Sequence, residues 1–87
     1  MPLESDVTRR FYRARSLPAL AAALRGARAS KGYTQGDLAA TIGSSRPTVS
    51  RMERGNPATT DTLLDALAAC GYELVVVPRG STITVTS

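Results

Sequence analysis

The stretch TQGDLAATIGSSRPTVSRMERG, residues 34–55, determines the fold of this chain because it encodes two short helices joined by a glycine-centred turn. Thr34 is placed to cap the first helix with its hydroxyl. Asp37 brings a negative charge into the first turn, where the helix dipole favours it. The apolar positions of this helix recur at helical spacing on one face and are Leu38, Ala39 and Ile42.

Gly43 follows where the first helix must stop, since glycine adopts positive φ at little cost. The second helix is predicted to begin at an N-cap of Ser44 or Ser45. Pro47 is compatible with either start, because the first turn of a helix has no intrahelical partners for its N–H groups to lose. With Ser45 as the cap, Pro47 offers no N–H group, so the cap hydrogen bond must come from Thr48.

The second helix has an apolar side and a polar, basic side. Val49 and Met52 mark the buried side, and Gly55 ends the helix. The other side carries arginines and small hydroxyl residues, which are Arg46, Thr48, Ser50 and Arg51. A helix with such a face suits the major groove of DNA, which admits one α-helix.

The whole stretch resembles the helix-turn-helix of the lambda-repressor-like (Xre/Cro) family, whose pattern is TQxxLAxxxGxxxxxVSxxExG. The matching residues are Thr34, Gln35, Leu38, Ala39, Gly43, Val49, Ser50, Glu53 and Gly55. These positions fix caps, turn and core together, so an αα-hairpin used only for packing is the less favoured interpretation. The resemblance implies a mainly α domain that binds DNA.

The length and charge of the chain are consistent with a small DNA-binding protein. A chain of 87 residues forms one domain at most and buries only about 60–65% of its unfolded surface, so oligomerisation is a common remedy. The formal net charge of +4 permits binding to nucleic acid or to an anionic membrane. Positive charge concentrates before Gly32 and around the second helix of the motif.

Residue types argue against an enzyme or a metal site. Cys70 is the single cysteine, so an internal disulfide is excluded, which fits a reducing cytoplasm. There is no histidine, which removes the usual zinc sites and the histidine-based triads. No apolar run reaches the roughly 18 residues of a membrane span, and the first residues are too polar for a signal peptide. We therefore expect a cytoplasmic, non-enzymatic protein without a metal or cofactor.

Residues 1–15 are expected to form a basic flexible leader before a DNA-binding domain of residues 16–71. Its arginines are Arg9, Arg10, Arg13 and Arg15. The leader is interpreted either as a solvated, frayed segment or as an arm that follows DNA phosphates or enters a minor groove. Phe11 and Tyr12 indicate that part of it packs instead.

A further helix is predicted between Ser16, its N-cap, and Gly32, its C-terminal stop, with Pro18 tolerated in the first turn. Its apolar residues are Leu17, Leu20, Ala21, Leu24 and Ala27. Arg28 falls near the inner face of this helix. The family resemblance implies that it pairs with Glu53 at the end of the recognition helix, whereas two ordinary surface charges are the alternative.

A fourth helix is predicted after the turn-rich NPATT linker, with Thr59 or Thr60 as its N-cap and Gly71 as its stop. Its apolar residues are Leu63, Leu64, Leu67 and Cys70. Cys70 is then a small core residue and not a reactive thiol.

Residues 72–87 are predicted to form a β-strand or hairpin used for dimerisation. The segment YELVVVPR is β-branched and almost continuously apolar, which is typical of a buried strand. A single strand leaves its backbone groups without partners. It must therefore fold back on residues 82–86 or meet the same strand of a second subunit.

Four helices followed by a strand resemble, over about residues 16–79, the HipB-type antitoxins. This resemblance implies a homodimer closed by paired strands of Leu74, Val75, Val76 and Val77. It also implies a bacterial, nucleoid-associated repressor that binds an inverted-repeat operator in its own operon and inactivates a HipA-like serine/threonine kinase toxin. The alternatives are a stand-alone Xre regulator of phage or plasmid type and, disfavoured by the arginines, a protein-interaction module or an enzyme.

The resemblance also implies individual roles at the DNA. Gln35 would bond a phosphate, Ser45 and Arg46 would meet base edges, and Thr48 would contact a thymine methyl group. Ser50 and Arg51, one turn further along, would reach a base or the adjacent phosphate. Phosphate contacts are also expected from Arg54, Asn56, Thr59 and Thr60.

Overall fold

The computed structural model describes residues 11–86 and contains four α-helices in that range. They are α1 (Leu17–Lys31), α2 (Gln35–Thr41), α3 (Arg46–Glu53) and α4 (Thr60–Ala69). The prediction of a mainly α, four-helix domain built on a helix-turn-helix is confirmed. No helix in residues 11–86 has the length and apolarity needed to cross a membrane.

Each helix begins at a hydroxyl residue, which accounts for the observed helix boundaries. The side chains of Ser16, Thr34, Ser45 and Thr59 each accept a hydrogen bond from the backbone N–H three residues on. At Thr34 the Asp37 carboxylate also accepts from the cap N–H, so α2 begins with a complete capping box. Ser45 and Thr59 are therefore the caps, and not Ser44 and Thr60.

The turn between α2 and α3 is fixed by Gly43, which has a φ of 66°. This left-handed conformation lets the N–H of Ser44 turn back and donate to the carbonyl of Ala39 at 2.8 Å. A side chain on residue 43 would strain the backbone at this point. The turn therefore sets the angle at which α3 leaves α2.

All four helices contribute to one hydrophobic core. Its buried residues are Leu24, Ala27, Leu38, Ala39, Val49, Met52, Ala66, Leu67 and Cys70. Cys70 is 4% exposed, and burial raises the pKa of its thiol, as expected for a core residue. Two leucines assigned to apolar faces, Leu17 and Leu64, are instead 45% and 42% exposed. They lie at the edges of the buried stripes of α1 and α4.

The C-terminal segment has no strand partner within residues 11–86. Residues 72–78 form no regular secondary structure, and a turn follows in which Ser81 donates from its N–H to the carbonyl of Pro78. Residues 82–86 do not pair with residues 72–78, so the intrachain hairpin, one of the two predicted alternatives, is not formed. The apolar residues Leu74–Val77 stay exposed.

Two residues of the described N-terminal segment, Tyr12 and Arg13, contact the rest of the chain, while Ala14 and Arg15 are exposed. The ring of Tyr12 lies 5.8 Å from that of Tyr72 and rests against Gly26 of α1. Arg13 donates to the carbonyl of Ser81. The hint that Phe11 and Tyr12 pack thus holds for Tyr12, while Phe11 is 43% exposed. The predicted contacts of Arg9 and Arg10 lie outside the described residues.

The contact of Tyr12 with Gly26 predicts an unusual result for a glycine inside a helix. A methyl group at residue 26 would lie 2.6 Å from the Tyr12 hydroxyl oxygen, so the ring must move. Glycine to alanine in a helix normally stabilises by about 0.5–1 kcal/mol. We expect Gly26→Ala to give little or no gain in the free energy of unfolding, measured in urea.

The Tyr12→Ala background is the matched control, because the methyl group then meets no ring. There Gly26→Ala should recover the full gain. Equal effects in both backgrounds would contradict the packing of Tyr12 on Gly26.

Candidate nucleic-acid interface

Helix α3 presents its N-terminal end and one side to solvent. Ser45 caps it, and Val49 and Met52 turn into the core, where they are 0% and 5% exposed. Arg46 and Arg51 are exposed on the other side. Since the buried pair fixes the rotation of the helix, the arginines are held on a face that a DNA major groove can receive.

The small hydroxyl residues of α3 are half-buried and already have intramolecular partners. The Thr48 hydroxyl lies 2.9 Å from the Ser45 hydroxyl, which also accepts the cap hydrogen bond from the Thr48 N–H. The Ser50 hydroxyl accepts a hydrogen bond from Arg54 at 3.0 Å. These contacts order the side chains at the N-terminal end and along the side of α3, and each hydroxyl retains further hydrogen-bonding capacity.

The other predicted contact residues flank α3 on two sides. Gln35, the first residue of α2, donates from its amide nitrogen to a carboxylate oxygen of Glu53 at 3.1 Å. Asn56, Thr59 and Thr60 are exposed in and after the loop that leads to α4. The Thr59 hydroxyl caps α4, so Thr59 has a structural role in addition to its predicted contact with DNA.

Beneath this face lies the buried carboxylate of Glu53, which is 3% exposed. Arg28 of α1 forms a bidentate salt bridge with it, with Nε to Oε2 at 2.5 Å and Nη2 to Oε1 at 2.9 Å. Arg28 also donates to the carbonyl of Tyr33 between α1 and α2. With Gln35 donating as well, one carboxylate joins α1, α2 and α3.

Arg25 is a structural residue that the sequence reasoning missed. Its Nη1 donates to the backbone carbonyl of Glu53 at 3.0 Å, close to the C-terminal end of α3. The helix dipole also stabilises a positive charge at this C-terminal end. Arg25 lies three residues before Arg28, which is the spacing of neighbours on one helix face, and this spacing is the signal that could have identified it.

The ionisation of Glu53 depends on this arrangement. Burial works to raise the pKa of the carboxyl, but hydrogen bonds from Arg28 and Gln35 and the charges of Arg28 and Arg25 outweigh it. The pKa of Glu53 therefore lies below its ordinary value, and the pKa of Arg28 is raised by its hydrogen bond to Glu53. The pair stays charged at neutral pH. In residues 11–86 there is no cluster of three or more residues that could hold a metal ion.

Comparison with known proteins places this geometry among DNA-binding regulators. Residues 24–77 match the family model described as helix-turn-helix. The crystal structure of the clp gene regulator ClgR from C. glutamicum is 36% identical with a TM-score of 0.63, over 67% of this chain and 76% of that chain. A comparison with curated proteins finds no match.

Two further solved structures are similar in fold and sequence. A complex named HipB-O4 20mer has a TM-score of 0.72 at 27% identity and covers 79% of this chain and 99% of that chain. A toxin-antitoxin module from Streptococcus pneumoniae is 39% identical with a TM-score of 0.58, over 72% of this chain and 70% of that chain.

The lowered pKa of Glu53 predicts how stability depends on pH. Its ionised form is favoured in the folded state, so the stabilisation is complete above the unfolded pKa, near 4.5, and is lost as the pH falls through the lower folded value. Glu53→Gln should cost about 2 kcal/mol of unfolding free energy at pH 7. The gap to the parent protein should narrow on acidification to pH 3.

Denaturant unfolding at several pH values measures this gap. Asp65→Asn is the matched control, because Asp65 is exposed on α4, and it should change stability little at any pH. A gap that stays constant from pH 7 to pH 3 would show that ionisation of Glu53 does not stabilise the fold.

Proposed function

This chain belongs to the helix-turn-helix family and is a DNA-binding regulator, and we propose that it is the HipB-like antitoxin of a bacterial toxin–antitoxin pair. In this role a homodimer represses its own operon at an inverted-repeat operator. It also neutralises a HipA-like serine/threonine kinase toxin. The observation that carries the DNA-binding part is the exposed arginine face of α3, held from beneath by Glu53.

The residues of this face divide into those that read bases and those that contact phosphates. Arg46 and Arg51 are the candidates for bidentate contacts with guanine, the commonest specific contact to DNA bases. Hydroxyl groups at Ser45, Thr48 and Ser50 add contacts at the N-terminal end and side of α3. Phosphates are assigned to Gln35, Arg54, Asn56, Thr59 and Thr60, whose contacts position the protein without reading sequence.

Dimerisation is part of the proposal, because a single helix-turn-helix reads too few bases for useful specificity. Two copies related by a two-fold axis reach half-sites about 34 Å apart on one side of the duplex. The exposed apolar segment Leu74–Val77 is the proposed contact between copies. Pairing there satisfies backbone groups that make no backbone hydrogen bonds within residues 11–86.

The antitoxin assignment is supported by the proteins that this chain resembles. HipB matches over almost all of its own length, and it covers more of this chain than ClgR does. The similar structure from S. pneumoniae is described as a toxin-antitoxin module. A HipB-like antitoxin would carry DNA binding and toxin neutralisation in one small domain.

A stand-alone regulator is the second candidate, and the identity to ClgR, a regulator of clp genes, favours it. The neighbouring gene separates the two. An antitoxin requires an adjacent reading frame for a kinase-like toxin, and expression of that frame alone should arrest growth. Co-expression of this chain should restore growth, and an Arg46→Ala, Arg51→Ala double variant should do so as well if only DNA contacts are lost. Absence of such a frame, or of rescue, favours the stand-alone regulator.

The assignment of Arg46 and Arg51 predicts how their replacement changes sequence preference. Alanine at either residue should remove about 1–3 kcal/mol of discrimination at one operator position per half-site. Affinities for a series of single-base operator variants measure this. Preference that is unchanged in both alanine variants would refute the assignment to α3.

Arg54→Ala is the matched control for these variants. A phosphate contact carries no direct base information, so its loss should weaken binding about equally on every sequence. It should also reduce the slope of log K against log salt by about one unit. Gln35 is less suitable because its amide also holds buried Glu53. Arg54 donates to the Ser50 hydroxyl, so Ser50→Ala is measured beside Arg54→Ala to separate loss of that hydrogen bond from loss of the phosphate contact.

A further inference from the structure

The C-terminal segment offers an exposed backbone edge with apolar side chains. Backbone groups of residues 73–77 make no backbone hydrogen bonds within residues 11–86. The exposed fraction reaches 65% for Val75 and 93% for Val76. An edge of this kind is a template for a strand from another chain.

Pro78 determines which backbone groups can face such a strand. Residues along a β-strand direct their N–H and C=O groups alternately to one edge and the other. Pro78 has no N–H group, so a paired strand places it where the N–H would point away from the partner. Leu74 and Val76, which lie four and two residues before Pro78, then also point their N–H groups away from the partner. The N–H and C=O groups of Val75 and Val77 point towards the partner and form hydrogen bonds with it.

Two-fold symmetry further limits the register. Opposed residues in an antiparallel pair alternate between hydrogen-bonded and non-hydrogen-bonded pairs. The two residues of an opposed pair are either both hydrogen-bonded or both non-hydrogen-bonded, and this property alternates along each strand. In a symmetric dimer a residue therefore cannot oppose its own sequence neighbour, and the two-fold axis passes between the two copies of one residue. Among Leu74, Val75, Val76 and Val77, each central residue gives a different set of opposed neighbours.

Charge selects one of these registers. Centring on Val76 opposes Val75 to Val77 and Glu73 to Arg79, and none of the other three centres brings these opposite charges face to face. No salt bridge to Glu73 or Arg79 forms within the described residues. Arg79 borders a groove of about 300 Å³ with Arg13 and Arg15, and this groove has no acidic residue in its described lining. An acidic residue from outside would complement it.

We propose that a second copy of this chain pairs antiparallel along residues 73–78, with Val76 on the two-fold axis and Glu73 of each copy facing Arg79 of the other, where the turn begins. This inference rests on the proposed dimer. It specifies the register of the two strands and the charged residues that favour a copy of the same segment as the partner. The cross-strand charges make the segment select a copy of itself, since every self-pairing aligns both opposite charges at once.

Charge reversal tests the register directly. Glu73→Arg opposes Arg to Arg twice in its own dimer, and Arg79→Glu opposes Glu to Glu twice. Each variant should dimerise about tenfold more weakly than the parent by analytical ultracentrifugation at 0.15 M salt. An equimolar mixture of the two should form heterodimers with near-parental affinity, because both contacts then join opposite charges. The combined variant Glu73→Arg, Arg79→Glu should also regain parental affinity.

Asp65→Arg is the control for the net charge of Glu73→Arg, because it makes the same change of charge at an exposed residue of α4. It should dimerise like the parent. Reversal variants that also dimerise like the parent, or a mixture without preference for the heterodimer, would overturn the register. Helical content by circular dichroism checks that each variant is folded.

Cysteine cross-linking gives a second, independent measurement. Non-hydrogen-bonded opposed residues bring their Cβ atoms close enough for a disulfide, so Val76→Cys should cross-link two copies on oxidation. Val75→Cys should not, because Val75 is opposed to Val77 and not to itself. Buried Cys70 is common to all samples. Cross-linking of Val75→Cys alone would overturn the register.

Val76→Asp separates failure of the register from failure of the proposed dimer. A charge at the axis should abolish dimerisation at micromolar concentration. If the parent is dimeric and Val76→Asp remains so, the interface lies elsewhere, and both the register and the strand-mediated dimer are wrong. If Val76→Asp is monomeric while charge reversal has no effect, the dimer stands and only the register fails.

Discussion

The buried carboxylate of Glu53 is the constraint on which the recognition surface depends. It receives hydrogen bonds from Arg28 of α1 and Gln35 of α2 while belonging to α3. A small domain has little core to orient its helices, so one ionic centre that joins three of them has a large effect on their geometry. An isolated buried charge is costly, so loss of Arg28 or Glu53 alone should destabilise the fold more than replacement of both by apolar residues. Arg25 contacts the same residue differently, because it donates to the uncharged backbone carbonyl of Glu53 at the C-terminal end of α3.

Much of the fold could be predicted because its signals are local. Hydroxyl residues at Ser16 and Thr34, Gly43 in the turn and the spacing of Val49 and Met52 each act within one or two helical turns. The pairing of Arg28 with Glu53 is different, since it joins residues 25 apart and was suggested only by resemblance to a family. Spacing along α1 gives Arg25 the same face as Arg28 but does not identify the carbonyl that it bonds.

Contacts that depend on distant parts of the chain could not be predicted in this way. The docking of Tyr12 on Gly26 and Tyr72 brings together an N-terminal segment, the middle of α1 and the start of the C-terminal segment. Nothing in the local sequence around Gly26 indicates a ring above it. For residues 72–78 the β-branched composition predicts a strand, but a strand needs a partner and its identity lies outside a single chain's local pattern. Because residues 72–86 form no intrachain hairpin, a partner strand for residues 72–78 would have to come from another chain.

The hydroxyl of Ser45 has consequences for how this protein can evolve. It caps α3 and bonds Thr48, yet it also stands at the tip of the helix assigned to the major groove. Arg46 and Arg51 are exposed and not part of the core, so folding does not restrict their exchange. At residue 45, only serine, threonine, aspartate, asparagine and, less well, glycine preserve the start of the helix. If residues 46 and 51 read bases as proposed, a change of DNA preference should occur mainly at these two positions, while residue 45 is limited to the few residue types that cap a helix.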